Sequence, residues 1–477
     1  MIWPSRPRQL ASIGFGIGLV LALAACSESY PNSTFNHTTE FNTAIDYLWD
    51  RLLFWGSVVF VLVESVLLYT VVKYRRRPDS GLPQHVHGNF ALEILWTLIP
   101  SVILVFIAVP TVRTIFRTQA RAVPNALQVE VIGHQWWWEF RYPQYNIVTA
   151  NELYLPVGRT VNFALKAVDV VHSFWVPQLG GKRDVIPNHT NFLWYTIDST
   201  MNTTVFNGFC VEYCGASHAN MKFRAFAVSP QEFESWAAHQ ARPAVFGAVA
   251  PPSPPGAAPP GAPGTAPGTP PAPRGASSGP ASLSALPRRP AQGATPGGSE
   301  AGPAAQIAAG AAADSARTRT PPAAPQVTPQ PSPQTTSQVG FAFPRERLPA
   351  YAVPTMRAAA AVSFPDNLVG DPARGQQIYS SQTCIGCHAI AGNPMSRGVI
   401  GPNLTHFGSR TTLGAASFPN DTRHLARWIK NSRAMKPGSQ MPTLGRGQYD
   451  PYTKATLTAG LDDQQIADIV AYLQALK

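Results

Sequence analysis

Residues 208–221 read Gly208-Phe209-Cys210-Val211-Glu212-Tyr213-Cys214-Gly215-Ala216-Ser217-His218-Ala219-Asn220-Met221. This run sets two thiols, an imidazole and a thioether close together, and a second imidazole, His172, lies upstream. Sulphur and imidazole ligands favour copper in a mixed Cu(I)/Cu(II) state, whereas Mg²⁺ and Ca²⁺ prefer oxygen ligands. Two bridging thiolates would let two copper ions share one electron with little change of geometry. The run therefore predicts a two-copper electron-transfer site.

Two alternatives to a copper site do not explain the presence of Met221. A disulfide between Cys210 and Cys214 would suit an oxidising compartment, and zinc is often bound by two Cys and two His. A thioether is a poor zinc ligand, and a disulfide does not require His218 or Met221 at fixed offsets. We therefore expect His172, Cys210, Cys214, His218 and Met221 to bind the metal.

The segment around this run has the composition of a β domain. From about Leu127 to Ser229 it contains short stretches rich in Val, Phe, Tyr, Trp and Thr, such as 128–132, 160–167 and 191–197. Such stretches are typical of strands in an all-β sandwich or barrel. We expect this domain to hold the metal ligands.

The first 25 residues resemble a bacterial lipoprotein signal. Arg6 and Arg8 precede an apolar run at 13–23, and small residues lead directly to Cys26. This order predicts cleavage before Cys26 and acylation of its thiol, with an uncleaved helix as the alternative. Residues 26–50 would then form an N-terminal segment in the periplasm.

Residues 51–116 predict a transmembrane helical hairpin. Its two apolar runs, about 52–72 and 92–112, each approach the roughly 20 residues that span a bilayer as a helix. The basic cluster at 73–77 assigns the connecting loop to the cytoplasm. Both outer ends would then face the periplasm of a bacterial inner membrane.

Two carboxylates, Glu64 and Glu93, lie at membrane depth or at its edge. Glu93 is the better functional candidate, and the alternative is that it is a snorkelling interfacial carboxylate.

The C-terminal part predicts a flexible linker followed by a haem domain. Residues 243–349 are mostly Pro, Ala, Gly, Ser and Thr and cannot build a core. Residues 364–477 end in a helical apolar pattern typical of a small all-α domain. Within it, Cys384-Ile385-Gly386-Cys387-His388 is the C-x-x-C-H sequence, in which two thiols attach haem and the His is one axial ligand. A thioredoxin-type dithiol would lack the adjoining His388.

A thioether opposite His388 would give the haem the potential of an electron carrier. Met441, after a Pro-Gly turn, is the favoured ligand, and Met395, Met435 and His406 are the competitors.

Two counts exclude other classes of protein. The formal net charge of +11 comes from Arg and Lys scattered along the chain, so no basic face indicates a nucleic-acid partner. The five Cys all fall in the patterns described above, which leaves none for a structural disulfide framework.

The pattern C-x-E-x-C-x-x-x-H-x-x-M, with H-S-F upstream, resembles the CuA centre of cytochrome c oxidase subunit II. The resemblance runs from the apolar spans through the β segment and implies a cupredoxin-like Greek-key β-sandwich over residues 120–242. It also implies that Glu212 gives its backbone carbonyl to the copper pair and turns its carboxylate toward a Mg site shared with subunit I. The C-terminal domain resembles a class I cytochrome c, with Gly375 and Tyr379 on a helix that crosses the last helix near Tyr472, so the fusion is similar to caa-type oxidases.

Further roles follow from the same resemblance. The sequence His134-Gln135-Trp136 is similar to the stretch in which the first Trp is the point of electron entry, and Glu93 matches the carboxylate at the mouth of the K proton channel. In one place the chain departs from the family, because Asn188-His189 replaces Gly-Arg. An Arg contact to the catalytic subunit is therefore in doubt.

The implied function is electron input to a haem-copper oxidase. Electrons from cytochrome c or a bc complex would pass through haem c, Trp136 and the copper pair to subunit I, with subunit III as a further partner in the lipid bilayer. The chain has no His-rich helical bundle, so oxygen chemistry belongs to a partner subunit. A linker of this length has a reach of roughly 55 Å, which would let the haem domain visit the copper domain and swing away. The alternatives are an electron-transfer subunit of a nitric oxide reductase and a non-enzymatic membrane-anchored shuttle.

Overall fold

The computed structural model describes residues 30–75, 81, 87–119, 125–244 and 341–477. Two predictions lie outside these residues: the signal segment with Cys26, and residues 245–340 of the linker. Both remain predictions.

Two long helices form the membrane anchor. Helix α1 is Glu40–Lys73 and helix α2 is Phe90–Gln119, and both are long and apolar enough to cross a bilayer. Helix α1 begins well before residue 51, where the span was expected, because its start is attached to the β domain. There Thr39 caps the helix by accepting from the Asn42 backbone, and the Asn42 side chain donates to the Gln178 carbonyl at 2.7 Å. The predicted hairpin is confirmed, and its first turns are part of the periplasmic structure.

Ten strands build the β domain. They are β1 (Leu127–His134), β2 (Trp137–Tyr142), β3 (Ile147–Ala150), β4 (Glu152–Pro156), β5 (Thr160–Ala167), β6 (His172–Trp175), β7 (Arg183–Val185), β8 (Asn191–Thr196), β9 (Thr204–Cys210) and β10 (Lys222–Val228). One sheet has the order β3-β2-β1-β5-β8 and the other β4-β10-β9-β6-β7. Parallel pairing of β1 with β5 and of β4 with β10 interrupts the otherwise antiparallel ladders. The predicted cupredoxin-like sandwich is confirmed.

The strands bring the predicted ligands to one end of the sandwich. His172 begins β6 and Cys210 ends β9, while Met221 immediately precedes β10. Because β9 and β10 are an antiparallel pair, residues 211–221 form the loop between them, and the Cys210 backbone N–H donates to the Met221 carbonyl at 3.0 Å. We call residues 208–221 the sulphur loop.

Five further helices complete the described chain. They are α3 (Pro230–Gln240), which follows the sandwich, and α4 (Pro372–Ser381), α5 (Cys384–Cys387), α6 (Thr422–Met435) and α7 (Asp463–Ala475) in the haem domain. A Cβ on Gly375 would lie 1.9 Å from the Asp468 carbonyl oxygen, so glycine is needed where α4 crosses α7. Tyr379 packs against Tyr472 at the same crossing, with ring centroids 5.5 Å apart.

The haem domain differs from a purely helical domain in one respect. Its loops contain two small hairpins, formed by β11 (Thr412–Leu413), β12 (Phe418–Pro419), β13 (Tyr449–Asp450) and β14 (Ala455–Thr456). Two-residue strands carry no hydrophobic alternation, so the sequence pattern does not indicate them.

The last residues of the predicted linker are packed on the β domain. Phe343 is 3% exposed and its ring lies 4.9 Å from that of Phe226, edge to face. Phe341 packs against Tyr154 in the same cluster. Further on, the buried Arg224 side chain donates to the Ala352 carbonyl at 2.7 Å. The chain that leads into the haem domain is therefore attached to the sandwich at 341–352.

Candidate copper and haem sites

The sulphur loop and β6 bring five predicted ligands into one buried cluster. The Sγ atom of Cys214 lies 3.7 Å from the Cys210 Sγ, 3.6 Å from the His218 Nδ1 and 3.8 Å from the Met221 Sδ. On the other side, the Cys210 Sγ lies 3.8 Å from the His172 Nδ1. All the predicted copper side chains thus face one point.

The two thiols are not joined. A disulfide bond is about 2.0 Å long, and the 3.7 Å between the Cys210 and Cys214 sulphurs leaves both cysteines free. The hydrogen bond from the Cys214 thiol, more than the neighbouring His172, lowers the pKa of Cys210 to about 4. A thiolate is the form that binds metal, so Cys210 is prepared for a soft cation, whereas the hydrogen bond that it shares with Cys214 raises the pKa of Cys214.

A carboxylate orients the first histidine. The Nε2 of His172 lies 2.8 Å from the Asp169 Oδ1, which leaves Nδ1 turned toward Cys210. Burial raises the pKa of Asp169, but hydrogen bonds from His172 and the backbone of Gln135 outweigh it and lower the pKa overall. An ionised carboxylate behind a histidine is the usual way that proteins fix the orientation of a metal ligand.

The donor set fits copper better than zinc. Met221 is completely buried and its thioether points at the Cys214 sulphur rather than only into the hydrophobic core. The backbone oxygen of Glu212 lies 3.3 Å from the Cys210 Sγ, so this carbonyl is also close enough to contribute to the site. Two sulphurs, two imidazoles and a thioether are soft ligands that suit copper. The Glu212 side chain is exposed, so the expected magnesium site would need ligands from another subunit.

The haem motif borders a cavity of about 360 Å³. Cys384, Cys387, His388 and Met441 all line it, together with apolar side chains such as Leu425 and Ile469. The Nδ1 of His388 lies 2.8 Å from the Pro402 carbonyl, to which it can donate, so Nε2 is left for a metal. An apolar cavity with these four groups is suited to a covalently held haem.

The position of Met441 distinguishes it from its competitors. Its own carbonyl accepts a hydrogen bond from the Ser432 hydroxyl at 2.8 Å, which ties the loop to α6. The three competitors Met395, Met435 and His406 do not border the cavity in the described part of the chain. Met395 is 60% exposed, and the His406 Nε2 is bound to the Arg242 carbonyl at 2.9 Å. Of the four candidates for the second axial position, Met441 is the one that borders the cavity.

Trp136 lies between the two sites. Its indole N–H donates to the Cys214 carbonyl at 3.0 Å, and its ring borders the haem cavity. The buried Lys436 ammonium donates to the Trp136 carbonyl at 2.9 Å, and burial lowers the pKa of this lysine to about 7. The other two tryptophans of the stretch are buried: Trp138 packs in the core, and Trp137 stacks on His134 with centroids 4.0 Å apart.

The remaining sequence candidates lie away from these clusters. Glu93 is in the first turn of α2 and Glu64 is within α1. His189 is exposed, and Asn188 has a φ of 59°. Asparagine tolerates this left-handed conformation better than most residues, which explains how the chain can replace the family's glycine there.

Three positioning residues were not identified from sequence. Asp169, Gln135 and Lys436 are ordinary polar residues that reach the sites only through tertiary structure. The Gln135 side-chain amide donates to the Cys214 carbonyl at 2.6 Å, so one carbonyl receives both Gln135 and Trp136. The adjacency of Gln135 to Trp136 was the only sequence signal that could have pointed to it.

Comparison with known proteins matches three segments of the chain to family models. Residues 32–114 match the model "Cytochrome C oxidase subunit II, transmembrane domain", residues 146–228 its periplasmic domain, and residues 372–477 "Cytochrome c". A probable cytochrome c oxidase subunit 2 of Rickettsia bellii is 32% identical over 220 residues, 42% of this chain and 80% of the relative. The chain belongs to the cytochrome c oxidase subunit II family.

Two other subunit II relatives match different lengths of the chain. The Alkalihalophilus pseudofirmus cytochrome c oxidase subunit 2 is 26% identical over 427 residues, 88% of this chain and 84% of the relative. The Bacillus subtilis cytochrome c oxidase subunit 2 is 38% identical over 184 residues, and the match spans 36% of this chain and about half, 52%, of the relative. This subunit II therefore carries a cytochrome c domain, which implies haem c, and a periplasmic domain, which implies copper. It is a membrane-anchored part of a terminal oxidase that contains subunit I.

Proposed function

We propose that this subunit II is the electron input of an oxygen-reducing oxidase, with haem c held by Cys384, Cys387, His388 and Met441. A copper pair held by the sulphur loop and His172 would receive the electrons and deliver them to subunit I. When bound, the two groups supply reversible one-electron chemistry. The donor would be cytochrome c or a bc complex in the periplasm, and subunit III and a magnesium ion at Glu212 complete the expected assembly.

One observation carries this proposal: Trp136 contacts both sites. Its indole donates to the backbone of Cys214 on one side, and on the other it borders the haem cavity. Lys436 of the haem domain and Gln135 of the β domain hold this region by hydrogen bonds. Hydrogen bonds of this kind hold two redox sites at a fixed separation. The two alternatives, a subunit of a nitric oxide reductase and a non-enzymatic membrane-anchored shuttle, are not favoured, because the relatives that match this chain are cytochrome c oxidase subunits.

Replacing Trp136 with Phe tests this arrangement. Phe keeps an aromatic ring but loses the N–H that donates to the Cys214 carbonyl. We expect haem-to-copper electron transfer to slow by roughly tenfold or more, which corresponds to about 1.4 kcal/mol in the barrier, while copper and haem contents stay normal. Trp175→Phe is the matched control, because its indole also donates to a backbone carbonyl, that of Gly180. Flash-induced transfer at the wild-type rate in Trp136→Phe would exclude the proposed role.

Glu93 is proposed to stand at the entrance of a proton path in subunit I. A carboxylate in the first turn of a membrane helix can exchange protons with an adjoining water-filled channel. Glu93→Ala should therefore slow proton uptake during oxygen reduction without changing haem-to-copper transfer. Glu64→Ala is the control, since it removes a carboxylate from the other membrane helix and should leave turnover unchanged. Equal proton uptake in both variants and the wild type would count against Glu93.

A further inference from the structure

A buried carboxylate joins the β domain to the haem domain. Glu152, the first residue of β4, is 3% exposed. Its Oε1 accepts four hydrogen bonds: from the backbone N–H groups of Thr411 and Thr412 at 2.8 and 3.0 Å, and from their hydroxyls at 2.7 and 3.2 Å. All four donors belong to the haem domain. Four donors converging on one oxygen specify a single position of that loop.

Charge supports the same position. Burial raises the pKa of Glu152, while the Thr411 hydroxyl and the nearby Arg410 act in the opposite direction. Arg224, the residue paired with Glu152 across β4 and β10, is also buried and close enough to interact with it. A buried carboxylate is costly without partners, and the haem domain adds four hydrogen-bond donors and Arg410 to the Arg224 that the β domain already supplies, so docking stabilises Glu152.

Other contacts fix the two domains around this point. Lys436 donates to the Trp136 carbonyl at 2.9 Å, and the His406 Nε2 lies 2.9 Å from the Arg242 carbonyl. A Cβ on Gly438 would lie 3.1 Å from that of Ser217, so the Met441 loop closely approaches the sulphur loop. The contacts thus extend from one edge of the sandwich to the metal cluster.

We propose that the haem domain is held in this one docked position and that Glu152 is the positioning residue that sets it. The proposal goes beyond electron input as such, because it concerns where the domain rests and not which metals it carries. It replaces the sequence expectation of a domain that swings freely on its linker. The segment that docks against Glu152 is Thr411–Thr412 of the same chain.

Hydrogen–deuterium exchange on the intact oxidase complex in detergent tests the proposal. In the wild type, the Thr411 and Thr412 amides should be protected. Glu152→Ala should raise their exchange rate by roughly tenfold to a hundredfold, because charge-assisted hydrogen bonds to both amides are lost. Glu152→Gln keeps an acceptor oxygen and should restore part of the protection. Glu234→Gln is the matched control, since that carboxylate bonds to Tyr145 within the β domain.

A second variant covers the case in which Glu152→Ala disturbs the sandwich itself. Thr411→Val with Thr412→Val removes two donors from the haem-domain side, and β10 amides report whether the sandwich remains folded. Fast exchange at 411–412 in the wild type would overturn the docked position. Unchanged protection in both the Glu152→Ala and the threonine variants would overturn the role of Glu152. Copper and haem contents, measured on the same samples, separate either result from a failure of the proposed ligands.

Discussion

Replacing Cys214 with Ser is expected to remove the copper pair completely. The Cys214 sulphur is at the centre of the cluster, within 3.8 Å of Cys210, His218 and Met221. A serine hydroxyl is a hard, neutral donor and cannot replace a bridging thiolate. Electron delivery to subunit I, and hence oxygen consumption driven by an external donor, should fall to background.

Metal analysis and electron paramagnetic resonance of the purified complex measure this loss. The wild type should contain a copper pair that shares one unpaired electron, and Cys214→Ser should lack that signal while its haem c spectrum is unchanged. Tyr213→Phe is the control, because Tyr213 is 77% exposed in the same loop and the substitution preserves its ring. Zinc in place of copper, or a copper pair retained by Cys214→Ser, would contradict the proposed site.

Met441→Leu is expected to give the second largest effect. A leucine keeps the apolar volume beside the cavity but cannot bind iron, so the haem would lose its thioether ligand. The reduction potential should fall by on the order of 100 mV or more, within the roughly 0.8 V range over which axial ligands tune haem. A lower potential makes the haem harder for an external donor to reduce, so turnover with that donor should slow.

Optical redox titration of the haem measures this shift directly. Met395→Leu and Met435→Leu serve as controls, because the first is 60% exposed and the second lies in the core of the haem domain. Both should titrate like the wild type. A wild-type potential in Met441→Leu, or a lowered potential in either control, would assign the ligand elsewhere.

The grouping of the candidate metal ligands could be predicted from sequence because their chemistry restricts residue type. Cys210, Cys214 and Met221 at short spacing suit a soft metal ion and little else, and the run from Cys384 to His388 is more specific still. The membrane helices could be predicted for a similar reason, since a bilayer requires a long apolar run. The sequence could not indicate that α1 begins at Glu40, because its first turns are held by contacts of Asn42 with a loop far along the chain.

The contacts between domains could not be predicted. Glu152 and Thr411 are common surface residue types, and only the packing of two domains buries them together. The packing of Phe341 and Phe343 could not be predicted from composition, because these residues end a long stretch dominated by Pro, Ala and Gly. Asp169 likewise becomes important only through its distance to His172. Each of these roles depends on a tertiary contact and not on a local pattern.

The backbone hydrogen bond between Cys210 and Met221 has a consequence for assembly. It makes both ends of the sulphur loop part of a strand pair, so the sandwich itself holds these ends together. Small zinc modules, by contrast, are unfolded until they bind their metal. We expect newly exported polypeptide to form its sandwich first and to be loaded afterwards, by a donor protein that needs to reach only one end of a finished scaffold.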